Sequence, residues 1–267
     1  MIFSFLLRIY RLAALFTWCV VRALYSCFYT SRPGKEGVLN GSVFTGYWAK
    51  GITKIINLKV KVNGDPQSVK GGLIVSNHIG YLDIISHSSV FNVRFSPKST
   101  LRSWPLIGGL ISMNRPVWID RTSKQSSKKS LTEFRETMEQ GINLLVYPEG
   151  TTSSGKNGVL PFKSTPFEAV IAGNFPVRPI LTFYRQKPTD PTVAWYTDMD
   201  FLPHFWNLLG LRETEVELYI LEPVFPGNDD RKKLAGKVHK MMVKKYAQIV
   251  NNDDSKEESS HISRITF

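Results

Sequence analysis

The run Leu73-Ile74-Val75-Ser76, entered through Gly71-Gly72 and left through Asn77-His78-Ile79-Gly80-Tyr81-Leu82-Asp83, constrains this chain more than any other stretch. Its consecutive apolar residues suit a buried strand, and the polar residues that follow suit a turn into a helix capped by Asn77. His78 then sits at the strand's carboxyl end, where α/β folds carry their chemistry. An imidazole there can act as a general base near neutral pH, and a carboxylate on its other ring nitrogen would fix the tautomer and support the imidazolium. Asp83 can be that carboxylate only if the backbone around Gly80 is not regular helix, on which the two side chains would stand about 140° apart. The plainer reading is a strand-end histidine bonded to backbone.

The same layout recurs downstream. Leu144-Leu145-Val146-Tyr147 reads as a buried strand that runs straight into Pro148-Glu149-Gly150-Thr151-Thr152. Further strands are expected at Lys59–Val62, Val93–Phe95, Val117–Ile119, Val177–Phe183, Val193–Tyr196 and Val216–Leu221. Helices are expected at Ser127–Gln140, closed by Gly141, and at Asp229–Val250, acidic at its start and lysine-rich later as the helix dipole favours. Strands alternating with helices predict an α/β fold, here one domain over 59–250 with a mixed, largely parallel sheet flanked by helices. Residues 251–267 are polar and expected to be disordered.

The segment before this domain, residues 1–58, differs in kind. Residues 2–29 are mostly apolar and aromatic, and the uncharged run Leu12–Val21 is about half of the roughly 20 residues a spanning helix needs. On a helix, Ser4, Arg8, Arg11, Arg22 and Ser26 share one narrow face, the pattern of a helix lying in the membrane interface with its arginines reaching headgroups. A tilted span from Leu12 to Phe28 is the alternative, at a cost of roughly 2.5–3.5 kcal/mol if Arg22 sat at mid-depth. A signal peptide fits poorly, because no positive region precedes the apolar run and no small-x-small cleavage site follows it. A second amphipathic helix, from about Gly41 to Leu58, carries Val43, Phe44, Tyr47, Trp48, Ile52, Ile55 and Ile56 on one stripe. Together the pair reads as an amphipathic two-helix membrane anchor, against the alternative that the second is a core-facing surface helix.

Charge supports the membrane over other anionic partners. The net charge of +12 calls for nucleic acid, anionic lipid or a phosphorylated substrate. Through Lys61, the nine basic residues Arg8, Arg11, Arg22, Arg32, Lys35, Lys50, Lys54, Lys59 and Lys61 face one acid, Glu36. Basic charge beside apolar surface points to anionic lipid, and no nucleic-acid partner is expected. Both cysteines, Cys19 and Cys27, lie in the apolar segment, so neither a disulfide framework nor a metal site is indicated.

Two other chemistries are disfavoured. Gly150-Thr151-Thr152-Ser153-Ser154-Gly155-Lys156-Asn157 follows a strand and matches the phosphate-cradling G-x-x-x-x-G-K-[ST] pattern except at its last position. Asn157 lacks the magnesium-binding hydroxyl, and Gly158 and Pro161 oppose the helix such a loop requires. A serine hydrolase would need a G-x-S-x-G elbow, which is missing.

Four blocks carry a family resemblance: Asn77-His78 with Asp83, Trp118-Ile119-Asp120-Arg121, Tyr147-Pro148-Glu149-Gly150-Thr151, and Pro176-Val177-Arg178-Pro179. In order and spacing they resemble the glycerolipid and lysophospholipid acyltransferases, among them the 1-acylglycerol-3-phosphate acyltransferases of the bacterial PlsC type. The resemblance covers about residues 60–225, and the amino-terminal pair is similar to that family's membrane-binding two-helix motif. It implies that His78 deprotonates a lysolipid hydroxyl, which attacks the thioester of acyl-CoA or acyl-ACP directly while Asp83 orients the ring. The acceptor is itself the nucleophile, so no serine is needed. By the same resemblance Asn77, Arg121, Glu149, Gly150 and Thr151 hold the acceptor. Lys98 and Lys163 are further anion-site candidates, for which a solvated lysine is the plainer account.

No cofactor is implied beyond the acyl thioester co-substrate, and acyl carrier protein is a partner if acyl-ACP is the donor. Membrane placement at the cytoplasmic face of the inner membrane follows from the same resemblance. Lysophosphatidic acid is the first expected acceptor. Two departures widen the choice: Thr152 stands where many lysophosphatidate-using members carry arginine, and Arg115 where glycine is frequent. A lysophosphatidylcholine, a lyso-ornithine lipid or glycerol-3-phosphate is therefore the alternative acceptor; outside the class, the alternative is a non-catalytic membrane scaffold.

Overall fold

A computed structural model describes residues 2–29, 32–104, 107–120, 124–186 and 189–265. In chain order it contains α1 (Ile2–Tyr29), α2 (Gly34–Ile56), β1 (Leu58–Asn63), β2 (Gly72–Ser76), α3 (Leu82–Val90), β3 (Val93–Phe95), α4 (Ile107–Met113), α5 (Lys124–Glu139) and β4 (Asn143–Val146). There follow α6 (Phe167–Gly173), β5 (Val177–Arg185), α7 (Phe201–Leu209), β6 (Thr214–Ile220) and α8 (Arg231–Ile265). Six strands form one sheet in the order β1-β6-β5-β2-β4-β3. The strands β5, β2, β4 and β3 run parallel; β6 pairs antiparallel with β5, and β1 parallel with β6. This is the expected mixed, largely parallel sheet.

Every residue of β2 and β4 is buried, as their unbroken apolar runs require of strands covered on both faces. Leu73, Val75, Leu144, Val146 and Leu181 face one layer, made by Phe134 and Met138 of α5, Phe167 and Val170 of α6, and Leu234, Val238 and Met242 of α8. Ile74, Leu145, Ile180, Val216 and Leu218 face the other, made by Ala49 and Ile52 of α2, Ile85 of α3 and Leu209 of α7, with Leu15 of α1 at its margin. The second helix of the expected anchor is thus built into the core, starting at Gly34 rather than Gly41.

The first helix corrects a second expectation. Its arginine face turns inward onto protein, and its apolar face turns out. Arg11 is 3% exposed, and its guanidinium donates to the carbonyls of Ile55 and Leu209, at 3.1 Å each, of Arg212 at 3.2 Å, and of Leu211. Carbonyls in the last turns of α2 and α7 have no partner within their own helices and carry the negative end of the dipole, so a cation is what they attract. Arg22 stands over the Phe44 ring, 4.0 Å from its centroid. Outward, Phe3, Phe5, Leu6, Tyr10, Phe16 and Leu24 are each more than half exposed. The helix is long and apolar enough to cross a membrane over Ile2–Ser26.

Three smaller differences remain. Val193–Tyr196 forms no strand; its apolar residues pack sideways, Val193 joining Leu82, Leu208 and Leu211. Val117–Ile119 contributes one isolated bridge, from Ile119 to Lys98. The polar tail expected to be disordered continues α8 to Ile265, since extending a formed helix costs far less than nucleating one.

Candidate active site

The parallel strands deliver their carboxyl ends to one edge of the sheet, and His78 follows β2 there. Residues 77–81 form a turn before α3 begins at Leu82, which is what allows a spacing of five to close. Asp83, fully buried, extends Oδ2 back over this turn. It accepts from His78 Nδ1 at 2.8 Å, from the Ile79 amide at 2.6 Å and from the Gly80 amide at 3.0 Å. Its Oδ1 accepts from the Tyr184 hydroxyl at 2.8 Å. Both oxygens are engaged, so the carboxylate holds the ring rather than meeting substrate. With the Nδ1 proton directed at Asp83, the lone pair lies on Nε2, the arrangement of a general base. The ring stacks on Tyr147, with centroids 4.0 Å apart and planes 9° apart, and the His78 side chain keeps 19% of its surface exposed.

A buried polar chain backs the pair. Ser76 Oγ lies 2.9 Å from Thr182 Oγ1, which lies 3.3 Å from His87 Nε2. His87 Nδ1 donates to the Asp83 carbonyl at 2.6 Å, and burial lowers the pKa of this imidazole, favouring the neutral ring. Asn77 belongs to the same scaffold. Its amide gives a bond to the Thr182 carbonyl at 2.9 Å and takes one from the Thr182 N–H at 2.8 Å, and the residue is 2% exposed. Expected at the acceptor, Asn77 has its side-chain amide committed to β5, which it ties to the turn after β2.

Glu149 is similarly committed. Its carboxyl accepts the His78 N–H at 3.3 Å and the Leu160 N–H at 3.1 Å, and it is 4% exposed. Burial pushes its pKa up to about 7, against the pull of those two amides. It therefore braces the turn from beneath instead of reaching outward to a headgroup. Gly150 closes the adjoining turn through its N–H to the Tyr147 carbonyl at φ +73°, a conformation that favours glycine. Thr151 beside it is exposed. Lys98 is exposed beyond the carboxyl end of β3, the strand next to β4, so it shares this sheet edge. Arg121 lies outside the described residues.

The glycine- and serine-rich loop after Thr151 is no phosphate cradle. Irregular chain follows Lys156 up to α6, so the helix that would supply amides and dipole is missing among the described residues. The Ser153 N–H instead bonds the His78 carbonyl at 2.8 Å, and the Tyr246 hydroxyl bonds the Gly155 carbonyl at 2.7 Å. From the other side, the Trp195 N–H donates to the Ile79 carbonyl at 3.0 Å. Glycine at position 80 eases this approach, since a Cβ there would stand a tight 3.1 Å from the Trp195 nitrogen. Sequence reasoning missed Tyr184, Thr182 and His87. The period-two pattern of β5 could have placed Thr182 and Tyr184 on one face with Ile180, but not against Asp83.

Residues 59–182 match the family model described as Acyltransferase. Over 199 residues the chain is 30% identical to the lyso-ornithine lipid O-acyltransferase of Brucella abortus, which covers 69% of this chain and 74% of that protein. Over 171 residues it is 28% identical to the 1-acyl-sn-glycerol-3-phosphate acyltransferase of Neisseria gonorrhoeae, covering 63% and 67% respectively. The crystal structure of the 1-acyl-sn-glycerophosphate acyltransferase PlsC from Thermotoga maritima aligns with a TM-score of 0.68 over 93% of this chain and 96% of that one. At 20% identity, that likeness shows a common fold.

Proposed function

The chain belongs to the acyltransferase family, and from that premise and the His78–Asp83 geometry we propose that it transfers a fatty acyl group from a thioester to a lysolipid hydroxyl at a membrane surface. The observation that carries the reading is the single free ring nitrogen of His78, fixed by a saturated carboxylate at an accessible strand end. Nε2 takes the hydroxyl proton as the oxygen attacks the thioester carbonyl. The tetrahedral intermediate then collapses, the carbon–sulfur bond breaks, and the proton on Nε2 passes to the departing thiolate. One ester and one thiol result, and the histidine is restored.

Lysophosphatidic acid is the first acceptor in this reading, giving phosphatidic acid, with acyl-CoA or acyl-ACP as donor. Gly150, Thr151, Lys98 and Arg121 would receive its phosphate. The second reading is a headgrouped lysolipid such as a lyso-ornithine lipid; it is favoured by Thr152 in place of an arginine and by the Brucella relative. The outward apolar face of α1 supports attachment to a membrane, for which we propose the cytoplasmic face of the cell membrane.

The test is turnover by the purified full chain on a panel of both acceptors with acyl-CoA and acyl-ACP. His78→Ala is expected to lower kcat by at least about a thousandfold, within the range general-base removal produces. Tyr184→Phe, which removes one donor to Asp83, should lower kcat by about tenfold with little change in KM. Retained turnover in His78→Ala would overturn the mechanism, and no product from any acceptor would favour a scaffold.

A further inference from the structure

A cavity of about 830 Å³ opens at the same carboxyl edge of the sheet but on its β5–β6 side, across β2 from Gly150, Thr151 and Lys98, between the amino-terminal half of α1, the end of β5 and the turn from α7 into β6. We propose that this cavity binds the headgroup of a zwitterionic membrane lipid, as a site separate from that of the acyl acceptor.

Its walls carry both signs of charge. Arg8, Arg185 and Arg212 supply guanidinium groups, and Asp190, Glu213 and Glu215 supply carboxylates. Among the described residues, Arg8, Arg212, Asp190 and Glu215 enter no ion pair, so these charges are not spent on one another. The two arginines are positioned by packing instead. Arg8 lies over the Trp206 ring, 5.5 Å from its centroid, and against Gly210, where any Cβ would stand 2.5 Å from its Nε. Arg212 lies 5.8 Å from the centroid of Phe3. A purely anionic headgroup would meet three carboxylates here, and a purely cationic one three guanidiniums. A headgroup with an ammonium and a phosphate or carboxylate satisfies both, and the guanidinium fork suits either anion.

The source of that headgroup is the bilayer. Beside the lining residues Ser4 and Arg8 on α1, Phe3 and Phe5 are 66% and 54% exposed and lie against Arg212 and Trp206, which gives acyl chains a surface to lie along and a water-soluble zwitterion nothing. The volume falls within the range of sites that enclose small ligands. Tyr184 lines the cavity and bonds Asp83, so an occupied site abuts the catalytic pair without containing it.

Native mass spectrometry of the purified full-length His78→Ala protein in non-ionic detergent reads binding without turnover, so its outcome does not depend on the acyl-transfer reading. Dihexanoyl phosphatidylethanolamine should be retained in preference to dihexanoyl phosphatidate and to tail-less glycerophosphoethanolamine. Arg212→Ala and Glu215→Gln, each added to that background, should weaken retention roughly fivefold, the upper end for a solvent-facing ion pair, with melting followed by circular dichroism unchanged. Equal retention of the two lipids, or retention unaltered by both substitutions, would overturn the site. Tail-less compound binding as tightly as the lipid would overturn the bilayer as its source.

Discussion

The first and last helices of this chain are both long, amphipathic and basic, yet they are built inside out relative to each other. In α8 the inward stripe is Leu234, Val238, Met242 and Ile249, while Lys237, Lys240 and Lys244 are exposed. In α1 the inward stripe includes Arg8, Arg11 and Arg22, and Phe3, Phe5, Leu6, Phe16 and Leu24 are exposed. A helix that shows lysine to its surroundings is solvated by water, and one that shows phenylalanine all along its length is solvated by something apolar. The difference teaches that amphipathicity alone does not reveal which stripe is the inner one. What sits at the centre of the contact does: aliphatic side chains against β5 and α6 in one case, helix-end carbonyls in the other.

The strongest challenge to this contrast is Arg11→Met, which keeps a long apolar stem but removes every donor. If Arg11 joins α1 to α2 and α7 through their carbonyls, the loss should cost at least about 3 kcal/mol, because hydrogen bonds to a charged group each contribute about 1.5–3 kcal/mol and four acceptors are left in a dry seam. For a chain of this length that corresponds to a drop in melting temperature of roughly 10 °C. A variant that melts with the parent would mean that packing by the stem suffices and that the arginine stripe is incidental.

A smaller effect is expected on the outer face. Phe5→Asp combined with Phe16→Asp should release the protein from vesicles in flotation while leaving melting unchanged. Each ring contributes about 2 kcal/mol of apolar transfer, so the pair shifts partitioning by roughly a thousandfold. Persistent flotation would place the membrane contact elsewhere and remove the contrast between the helices. Truncation of residues 1–58 is the poorer test, because Ala49 and Ile52 are core residues and their loss would unfold what is being measured.

The same contrast explains what could be read in the sequence. Periodicity identified the face of α1 that holds Ser4, Arg8, Arg11, Arg22 and Ser26, but which way that face turns depends on carbonyls at positions 55, 209, 211 and 212. The contact between His78 and Asp83 was legible because the two residues lie five apart on a short turn after an unbroken apolar strand. Tyr184 was not, since it meets Asp83 across 101 positions through a strand pairing that no local pattern encodes. Asn77 and Glu149 were legible as neighbours of His78 but their partners were not: a motif shows which polar residues gather, while only the structure shows that these two bond main chain. Val193–Tyr196 imitated a strand because its apolar residues are used in packing, with Val193 against Leu82 at the start of α3.

The smallest expected effect is the one that separates the two helices by their solvent. Lysines near an anionic bilayer surface contribute about 1 kcal/mol each, so Lys237→Gln, Lys240→Gln and Lys244→Gln together would weaken vesicle binding by more than a hundredfold if α8 lay against the membrane. If α8 faces water, as its lysine-covered outer surface implies, the triple variant should float with the parent and bind within about threefold of it at low salt, where electrostatic attraction is least screened. Because α8 packs by Leu234, Val238 and Met242, none of them altered, the substitutions leave the core intact and the measurement reads surface charge alone. Release as complete as that expected for the phenylalanine variants would make the carboxyl-terminal helix a second membrane contact, and the two helices would then differ in chemistry but not in place.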